Sequence, residues 1–415
     1  MSASEPSRTK PTQASTDGVP FFRPELSDAE IAAVVEVLRS GWLTTGPRVR
    51  DFERAFADAV GADHAVALNS ATAGLHLATV ALGLRRGQAV LVPTMTFAAT
   101  AEVVRYADAV PILVDCNEHD LSIDLGDAAA KIERLRRGEL LDLDPATEVT
   151  GIMPVHVGGL MLDMDALDAF AQQHRLWIVE DAAHAFPAAF RSTPDARWRR
   201  AGGNTADVSC FSFYANKTIT TGEGGMATTS NADLAEEMRS LSLHGLSTDA
   251  WGRYTKQGSW DYRILAPGYK YNLTDSAAAL GLGQLERAEE MRRQREEIAH
   301  RYLDAFAELE AIANPPVDPN RRHSWHLFQI RLGPNAGGRA EFLDSLRERG
   351  IGTSVHWRPL HLHPYYEQTG WRPEDAPTAA RVWETTVSLP IFPAQRDDEV
   401  QAVIDAIREA ATSAA

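Results

Sequence analysis

The sequence predicts an α/β protein whose larger part is built on a mostly parallel β-sheet. Between residues 63 and 230, short runs rich in β-branched residues alternate with helical stretches, and these runs are apolar throughout rather than at every second position. Strands have this composition when helices cover both faces of a parallel sheet. Because 415 residues exceed what one hydrophobic core usually serves, we expect a large domain at 21–275 and a smaller α+β domain at 276–415.

Local patterns predict the elements in chain order. Ser27 and Glu30 form a capping-box pattern before apolar residues at helical spacing, which predicts a helix over 28–40. The turn-rich segment 42–47 is either a packed connector or a ligand-facing loop. Predicted strands then lie at 64–68, 90–92, 110–114, 149–153 and 176–179, and helices at 71–83, 97–107, 163–174 and 231–242. After an irregular stretch at 244–267 and a long helical region that starts at 274, we predict strands at 326–330 and 351–356 and helices at 339–349 and 397–411.

Composition argues against several classes of function. The 41 basic and 57 acidic side chains give a net charge of −16, which disfavours contact with nucleic acid or an anionic membrane surface. Two cysteines are too few for a disulfide framework and fit a reducing cytoplasm, and no apolar run is long enough to span a bilayer. Residues 1–20 have no apolar core, so we predict a disordered tail there and not a signal peptide.

Lys217 is the residue on which the predicted chemistry depends. It lies between the β-prone run 211–214 and the glycine-rich turn 222–225, among apolar and small side chains. A lysine in such surroundings needs a partner or must lose its charge, because its ammonium is strongly hydrated. A Schiff base with an aldehyde cofactor removes that charge, which makes Lys217 a candidate catalytic residue.

Further segments would complete a cofactor site at the carboxyl ends of the strands, where ligands bind on such sheets. Asp181 follows a buried strand, where a carboxylate is costly unless it meets a cation such as a protonated pyridine nitrogen. The alternative is a surface Asp that caps the next helix. Phe97 could stack on a flat ring, although an aromatic there is more often core. The chain is expected to pass from strand to helix at Ser70, Ala71 and Thr72. The free N–H groups of such a junction suit a phosphate.

The functional prediction rests on the occurrence of these features together in one chain. A phosphate cradle, a ring-nitrogen carboxylate and a lysine occur along the chain in the order expected of a pyridoxal-phosphate (PLP) enzyme. His184 would lie near Asp181 if a helix starts there, although a single histidine is more often structural. The sequence contains no Gly-x-Ser-x-Gly, Gly-x-x-x-x-Gly-Lys-Ser/Thr or His-Glu-x-x-His motif, so no other catalytic set competes.

Six segments carry a resemblance to a known family. They are Ser40–Pro47, Ser70–His76, Val179–Ala185, Ser212–Met226, Pro267–Asp275 and Gly350–His356. With these motifs, nearly everything from residue 21 onward resembles the DegT-type sugar-nucleotide aminotransferases. The resemblance implies the fold of aspartate aminotransferase (fold type I), PLP as the cofactor, and a homodimer with shared active sites.

The resemblance also implies roles for individual residues on the cofactor side. Lys217 matches the family's Schiff-base lysine, and Asp181 matches the partner of the pyridine nitrogen. His184 matches a position beside the cofactor's phenolic oxygen, and Phe97 matches the stacking aromatic. The positions that match the phosphate cradle are Ala71, Thr72 and Ser212.

Other residues are candidates for the partner subunit and the sugar. In the family, a residue of the segment 268–272 reaches the cofactor phosphate of the neighbouring subunit, and the candidates here are Lys270 and Asn272. Thr45, His326 and His356 are candidates for contacts with the sugar, although core packing explains aromatic residues around 326 and 356 equally well.

The two C-terminal motifs look most like the branch that aminates a 4-keto sugar to make UDP-4-amino-4-deoxyarabinose. The segment 190–205 is longer than in that branch and adds a basic cluster that would either meet a nucleotide diphosphate or form a solvated loop: Arg191, Arg197, Trp198, Arg199 and Arg200. A dTDP-linked 4-keto-6-deoxyhexose is therefore at least as plausible a substrate.

We expect amino transfer from L-glutamate, which leaves as 2-oxoglutarate, to a nucleotide-linked keto sugar in deoxyaminosugar biosynthesis. There are two alternatives, a second enzyme of the same family and a protein from a different class of function. One is a sugar dehydratase of the same family, although that offshoot carries His in place of the lysine. The other is a PLP-binding regulatory protein without turnover, against which the negative charge and the lack of a recognisable DNA-reading helix argue.

Overall fold

The structure is a computed structural model that describes residues 18–247 and 263–413. Most of the predicted tail, at 1–17, and much of the predicted irregular stretch 244–267 lie outside the described residues. The described helices are α1 (Asp28–Ser40), α2 (Pro47–Val60), α3 (Ala71–Ala81), α4 (Ala99–Tyr106), α5 (Leu125–Arg136), α6 (Met164–His174), α7 (Ala232–Ser242), α8 (Asp275–Phe306), α9 (Arg339–Glu348), α10 (Pro364–Gln368), α11 (Pro377–Thr385) and α12 (Asp397–Ser413). The strands are β1 (His64–Leu68), β2 (Ala89–Pro93), β3 (Val110–Val114), β4 (Val149–Ile152), β5 (Trp177–Asp181), β6 (Ala189–Phe190), β7 (Arg199–Arg200), β8 (Val208–Ser212), β9 (Gly225–Thr229), β10 (Ile312–Ala313), β11 (Arg321–Arg322), β12 (Phe328–Leu332) and β13 (Thr386–Leu389).

A seven-stranded sheet forms the centre of the protein, with the strand order β1-β9-β8-β5-β4-β2-β3. Strands β8, β5, β4, β2 and β3 pair in parallel, whereas β9 is antiparallel to both β1 and β8. All residues of β2 and β9 are buried, as expected of strands that helices cover on both faces. The prediction of an α/β fold with a mostly parallel sheet is confirmed.

The predicted helices, and the predicted strands apart from one, agree with the observed bounds to within two residues. The prediction of a strand at 351–356 is wrong. Ile351 forms a bridge with Val19, and Ser354 forms one with Ser388. The segment is thus divided between two partners, so it has no continuous ladder of main-chain hydrogen bonds.

Helix α2 is an addition to the predicted elements. Pro47 occupies its first turn, where a missing N–H costs nothing. Val49, Phe52 and Phe56 are buried at helical spacing, which brings α2 against α8 and β1. The segment before it, at 42–46, is irregular.

Helix α8 takes part in two hydrophobic clusters. Ala288 and Met291 belong to the cluster around the central sheet, while Tyr302 and Phe306 belong to one formed with α9, α12, β12 and β13. The domain division at residues 275 and 276 stays a prediction, because the helix that starts there serves both clusters. Across the two described ranges, none of the helices combines the length and apolar character needed to cross a bilayer.

Candidate active site

A cavity of about 370 Å³ lies at the carboxyl ends of the sheet strands. Its wall includes Ser70 after β1, Phe97 after β2, Val155 after β4, Asp181 at the end of β5 and Ser212 at the end of β8. The cavity brings together most of the sequence-predicted site residues, namely Ser70, Ala71, Thr72, Phe97, Asp181, His184, Ser212, Lys217, His326 and His356.

Lys217 lies in the turn that joins β8 to β9. Its backbone N–H bonds to Tyr214 O at 2.9 Å, and Thr218 Oγ1 donates to Phe186 O at 2.5 Å, which anchors the turn to the protein beneath it. Shielding from bulk water lowers the pKa of Lys217 to about 8, and the negative charge of Asp181 opposes this shift. The amine is therefore neutral far more often near pH 7 than that of an exposed lysine.

Asp181 is buried and is held by two donors. Thr100 Oγ1 donates to Oδ2 at 2.7 Å, and the N–H of Ala183 donates to Oδ1 at 3.1 Å. Burial raises the pKa of Asp181, and these donors together with the charge of Lys217 partly offset the shift. The alternative of a surface Asp that caps a helix does not hold, because residues 183–187 form a turn and no helix follows directly.

The N-terminus of α3 forms a cradle beside these side chains. Ser70 Oγ accepts a hydrogen bond from Ala73 N at 3.1 Å, while helix geometry leaves the N–H groups of Ala71 and Thr72 without intrahelical acceptors. Strand β9 approaches closely, since a Cβ on Gly225 would lie 2.4 Å from Ser70 C and 2.6 Å from Ala71 N. Glycine is thus required at 225, and the helix dipole favours an anion in the cradle.

Aromatic rings line another part of the cavity. Phe97 is 62% exposed although it is large and apolar, which leaves its ring accessible for stacking on a flat ligand. His184 lies in the turn after β5 and not in a helix. Its ring centroid lies 4.1 Å from that of His326 and 5.0 Å from that of Trp357.

Three neutral imidazoles face this cavity. Burial lowers the pKa of His184 and His326 well below the ordinary value and lowers that of His356 to about 4, and the charge of Lys217 acts in the same direction. Within the described ranges, His184 Nδ1, His326 Nδ1 and Asn216 Oδ1 are buried without a hydrogen-bond partner. Buried polar atoms are normally paired, so the cavity is suited to a polar ligand.

The residues of the cavity fit the PLP that the sequence predicts. The amine of Lys217 suits an aldehyde, and the carboxylate of Asp181 suits a pyridinium. The free N–H groups at the start of α3 suit a phosphate, and the exposed ring of Phe97 suits a flat heterocycle. The orphaned polar atoms of His184 and Asn216 would find partners on such a ligand. A volume of about 370 Å³ lies within the range of small-molecule sites.

Thr45, Lys270 and Asn272 form a separate group. Asn272 Nδ2 donates to Thr45 Oγ1 at 2.7 Å, Thr45 Oγ1 donates to Leu273 O at 2.5 Å, and Lys270 Nζ donates to Asn272 Oδ1. Thr45 and Asn272 line a second cavity of about 960 Å³ beside α1 and α2. As far as the described ranges show, none of the three lines the Lys217 cavity of its own chain.

The basic segment 191–200 is folded against the protein surface. Strands β6 and β7 form a small sheet with β11. Arg199 pairs with Asp165, and the guanidinium groups of Arg191 and Arg322 lie 4.7 and 4.4 Å from the ring of Trp198. Among the residues described, none of this segment lines the Lys217 cavity.

Several cavity or supporting residues lie outside the sequence-predicted set, among them Tyr214, Asn216 and Thr100. Tyr214 and Asn216 are close to Lys217 in the sequence and line the cavity. Their closeness to the lysine in the sequence could have indicated that they belong to the site. Thr100 supports Asp181 from 81 positions away in the chain. No local pattern connects two residues at that separation.

Comparison with known families matches residues 24–408 to the DegT/DnrJ/EryC1/StrS aminotransferase family. The spore coat polysaccharide biosynthesis protein SpsC of Bacillus subtilis is 43% identical over 395 residues, which cover 94% of this chain and 96% of SpsC.

Solved structures of similar proteins share the fold. A Streptococcus pneumoniae protein described as a sugar aminotransferase, Spr1654, in its PLP form, superposes with a TM-score of 0.84 at 30% identity, covering 96% of this chain and all of that one. The Helicobacter pylori aminotransferase PseC, involved in the biosynthesis of pseudoaminic acid, superposes with a TM-score of 0.83 at 26% identity, covering 95% of this chain and all of PseC.

Proposed function

Because this chain belongs to the DegT/DnrJ/EryC1/StrS aminotransferase family, we propose that it moves an amino group from L-glutamate to a nucleotide-linked 4-keto sugar. The protein is a PLP-dependent sugar aminotransferase with the fold type I architecture. The observation that carries the assignment of residues is that Lys217 and Asp181 share one cavity with the free N-terminus of α3.

Lys217 is the proposed catalytic residue. When bound, PLP supplies an electron sink and a carbon that carries the amino group between donor and acceptor. The lowered pKa of Lys217, about 8, supports its amine as the base that takes the proton from the donor's Cα. The same Nζ, once protonated, would return a proton to the sugar carbon in the second half of the reaction.

The remaining cavity residues would bind and orient the cofactor. Asp181 would hold the protonated pyridine nitrogen, and Phe97 would stack on the ring. His184 would lie beside the phenolic oxygen. The phosphate would be bound by the main-chain N–H groups of Ala71 and Thr72 at the α3 N-terminus and by the hydroxyls of Ser70, Thr72 and Ser212.

Neutral polar side chains in the cavity support contacts with the uncharged sugar ring of the acceptor. His326 and His356 are neutral, since burial lowers the pKa of both, and neutral donors suit keto and hydroxyl oxygens. The roles of SpsC in spore coat polysaccharide biosynthesis and of PseC in pseudoaminic acid biosynthesis support a sugar substrate in amino-sugar biosynthesis. The motifs at 267–275 and 350–356 support amination at C-4 of a dTDP- or UDP-linked sugar.

We also propose a homodimer in which each chain completes its partner's site. Thr45, Lys270 and Asn272 are hydrogen-bonded to one another but line no part of the Lys217 cavity in the described ranges of their own chain. This arrangement supports a role for Lys270 or Asn272 at the phosphate of the neighbouring subunit, with Thr45 near the sugar. We also propose a cytoplasmic location, because a chain with two cysteines fits a reducing compartment.

The visible absorption spectrum tests the proposal. L-glutamate should bleach the PLP band of the purified protein, and 2-oxoglutarate should restore it. A panel of dTDP- and UDP-linked keto sugars added to the glutamate-treated protein should then identify the acceptor, because only a true acceptor restores the band and yields an amino sugar. A spectrum that ignores glutamate would favour a binding protein, and loss of a sugar hydroxyl without amine formation would favour the dehydratase.

A further inference from the structure

His356 is held by contacts from three separate segments, two of them to its imidazole and one to its main chain. Phe21, near the N-terminus, stacks on it with ring centroids 5.6 Å apart and planes 23° apart. Gln329 Nε2, on β12, donates to the main-chain O of His356 at 2.8 Å. Ser388 Oγ, on β13, lies 2.9 Å from His356 Nδ1. A cavity residue held in this way has a fixed orientation.

The bond with Ser388 determines which ring nitrogen carries the proton. Ser388 is fully buried, and its main-chain groups pair with Ser354. In the described part of the chain, His356 Nδ1 is the partner of the Ser388 hydroxyl. Because burial lowers the pKa of His356 to about 4, the ring is neutral and has one acceptor nitrogen.

Two arrangements of the protons are conceivable, and their costs differ. If Nδ1–H donated to Ser388 Oγ, the hydroxyl proton would be buried without an acceptor, which carries a desolvation cost. If Ser388 Oγ–H donates to Nδ1, both groups are satisfied and the ring proton lies on Nε2. No hydrogen bond joins His356 Nε2 to another described residue, and His356 lines the Lys217 cavity.

We propose that Ser388 is a positioning residue that fixes His356 as the Nε2–H tautomer, so that His356 donates a hydrogen bond to an oxygen of the keto sugar. This inference rests on the proposed function for the identity of the ligand but not for the tautomer. The sugar is favoured over the donor's carboxylates because a neutral N–H gives an uncharged keto or hydroxyl oxygen a full hydrogen bond, whereas carboxylates are bound most strongly by cations.

The tautomer can be measured without turnover. In protein labelled with ¹⁵N-histidine, two-bond ¹H–¹⁵N correlation spectra should show an unprotonated Nδ1 and a protonated Nε2 for His356, assigned by its loss in His356→Asn. Ser388→Ala should shift this pattern toward the other tautomer or a mixture. The matched control is Ser354→Ala, whose serine contacts Ser388 through the main chain and should leave the pattern unchanged. A wild-type His356 with its proton on Nδ1 would overturn the proposal.

The two half-reactions identify the ligand. Ser388→Ala should raise the KM for the keto sugar roughly tenfold, the value of about one hydrogen bond, with a smaller change in kcat. The rate with L-glutamate should stay within about twofold, and Ser388→Thr should recover part of the sugar KM. An effect confined to glutamate, or equal in both half-reactions, would overturn the sugar assignment. Failure of the wild-type protein to accept any keto sugar would instead count against the proposed function.

Discussion

The hydroxyl of Thr100, in the first turn of α4, donates a 2.7 Å hydrogen bond to Asp181 Oδ2 at the end of β5. Thr100 Oγ1 also lies 2.8 Å from Thr96 Oγ1, so a short chain of hydroxyls leads to the carboxylate. Hydrogen bonds to a carboxylate favour its ionised form. Thr100 therefore helps to keep Asp181 charged against the burial that raises its pKa.

We expect Thr100→Val to shift the pH dependence of the glutamate half-reaction. Burial raises the pKa of Asp181 and the Thr100 hydrogen bond lowers it, so loss of the hydroxyl should raise it further. The ionised form of Asp181 is then lost at a higher pH as the solution is acidified. The acidic limb of the rate profile should therefore move to higher pH. Stopped-flow decay of the PLP band from pH 5 to 9 measures this, with a rate loss of about tenfold on the acidic limb.

The matched control for that experiment is Thr79→Val. Thr79 is equally buried, but its hydroxyl donates to His76 O within its own helix α3. This variant should leave the acidic limb in place. An unmoved limb in Thr100→Val would show that its hydroxyl does not control the charge of Asp181.

Lys217 should titrate in the apoprotein with a pKa of about 8. Its neutral amine is the nucleophile, so the rate of PLP capture should rise as the pH increases through this value. Asp181→Asn should move the midpoint to lower pH, because it removes the negative charge that stabilises the ammonium. Absorbance-monitored reconstitution measures both midpoints, and Asp165→Asn, at the distant pair with Arg199, should not move them.

Loss of the Lys217 amine should also stop catalysis. Lys217→Ala and Lys217→Arg should each abolish both half-reactions, since alanine has no base and a guanidinium stays protonated. Single-turnover spectra with L-glutamate and with an aminated sugar measure the two separately. Turnover in either variant would contradict the assignment of Lys217 as the catalytic base.

Local sequence patterns predict the strands of the central sheet and the crevice at the ends of those strands. The strands before Ser70 and Asp181 are continuous apolar runs, so their ends, and the crevice at those ends, follow from parallel-sheet geometry. The strand predicted at 351–356 is not formed because Ile351 and Ser354 pair with two different segments, at Val19 and Ser388. Such a division depends on tertiary contacts and leaves no periodic signal.

The same limit explains the supporting residues that local patterns did not indicate. Thr100 and Asp181 are 81 positions apart, and Ser388 and His356 are 32 positions apart. Each pair meets only after the sheet or the C-terminal strands have assembled. A serine or threonine in an apolar segment is compatible with many roles, so its partner decides its function.

Gly225→Ala should weaken cofactor binding. A Cβ at 225 would lie 2.4 Å from Ser70 C and 2.6 Å from Ala71 N, both main-chain atoms that cannot move aside cheaply. The N-terminus of α3 should shift, and we expect the Kd for PLP to rise at least tenfold, measured by fluorescence titration of the apoprotein. In Gly338→Ala the new Cβ meets Glu341 Oε2 at an ordinary 3.5 Å, so that control should bind PLP normally.

Mixing inactive variants should reveal whether active sites are shared. If Asn272 acts at the neighbouring subunit, a heterodimer of Lys217→Ala and Asn272→Ala chains contains one site with both defects and one intact site. Random exchange after mild dissociation should then restore about a quarter of the wild-type activity, because half of the dimers are mixed and each has one working site.

The same mixing experiment distinguishes the two candidate residues. Lys270→Ala replaces Asn272→Ala in a parallel series, and whichever variant is inactive alone and complemented by Lys217→Ala supplies the contact. Lys217→Ala mixed with Asp181→Asn is the control, because both side chains line the same cavity of one chain and every mixed site stays defective. If Lys270→Ala and Asn272→Ala each lose activity and neither recovers on mixing, these residues act within their own chain, and the proposed exchange of residues between subunits is wrong.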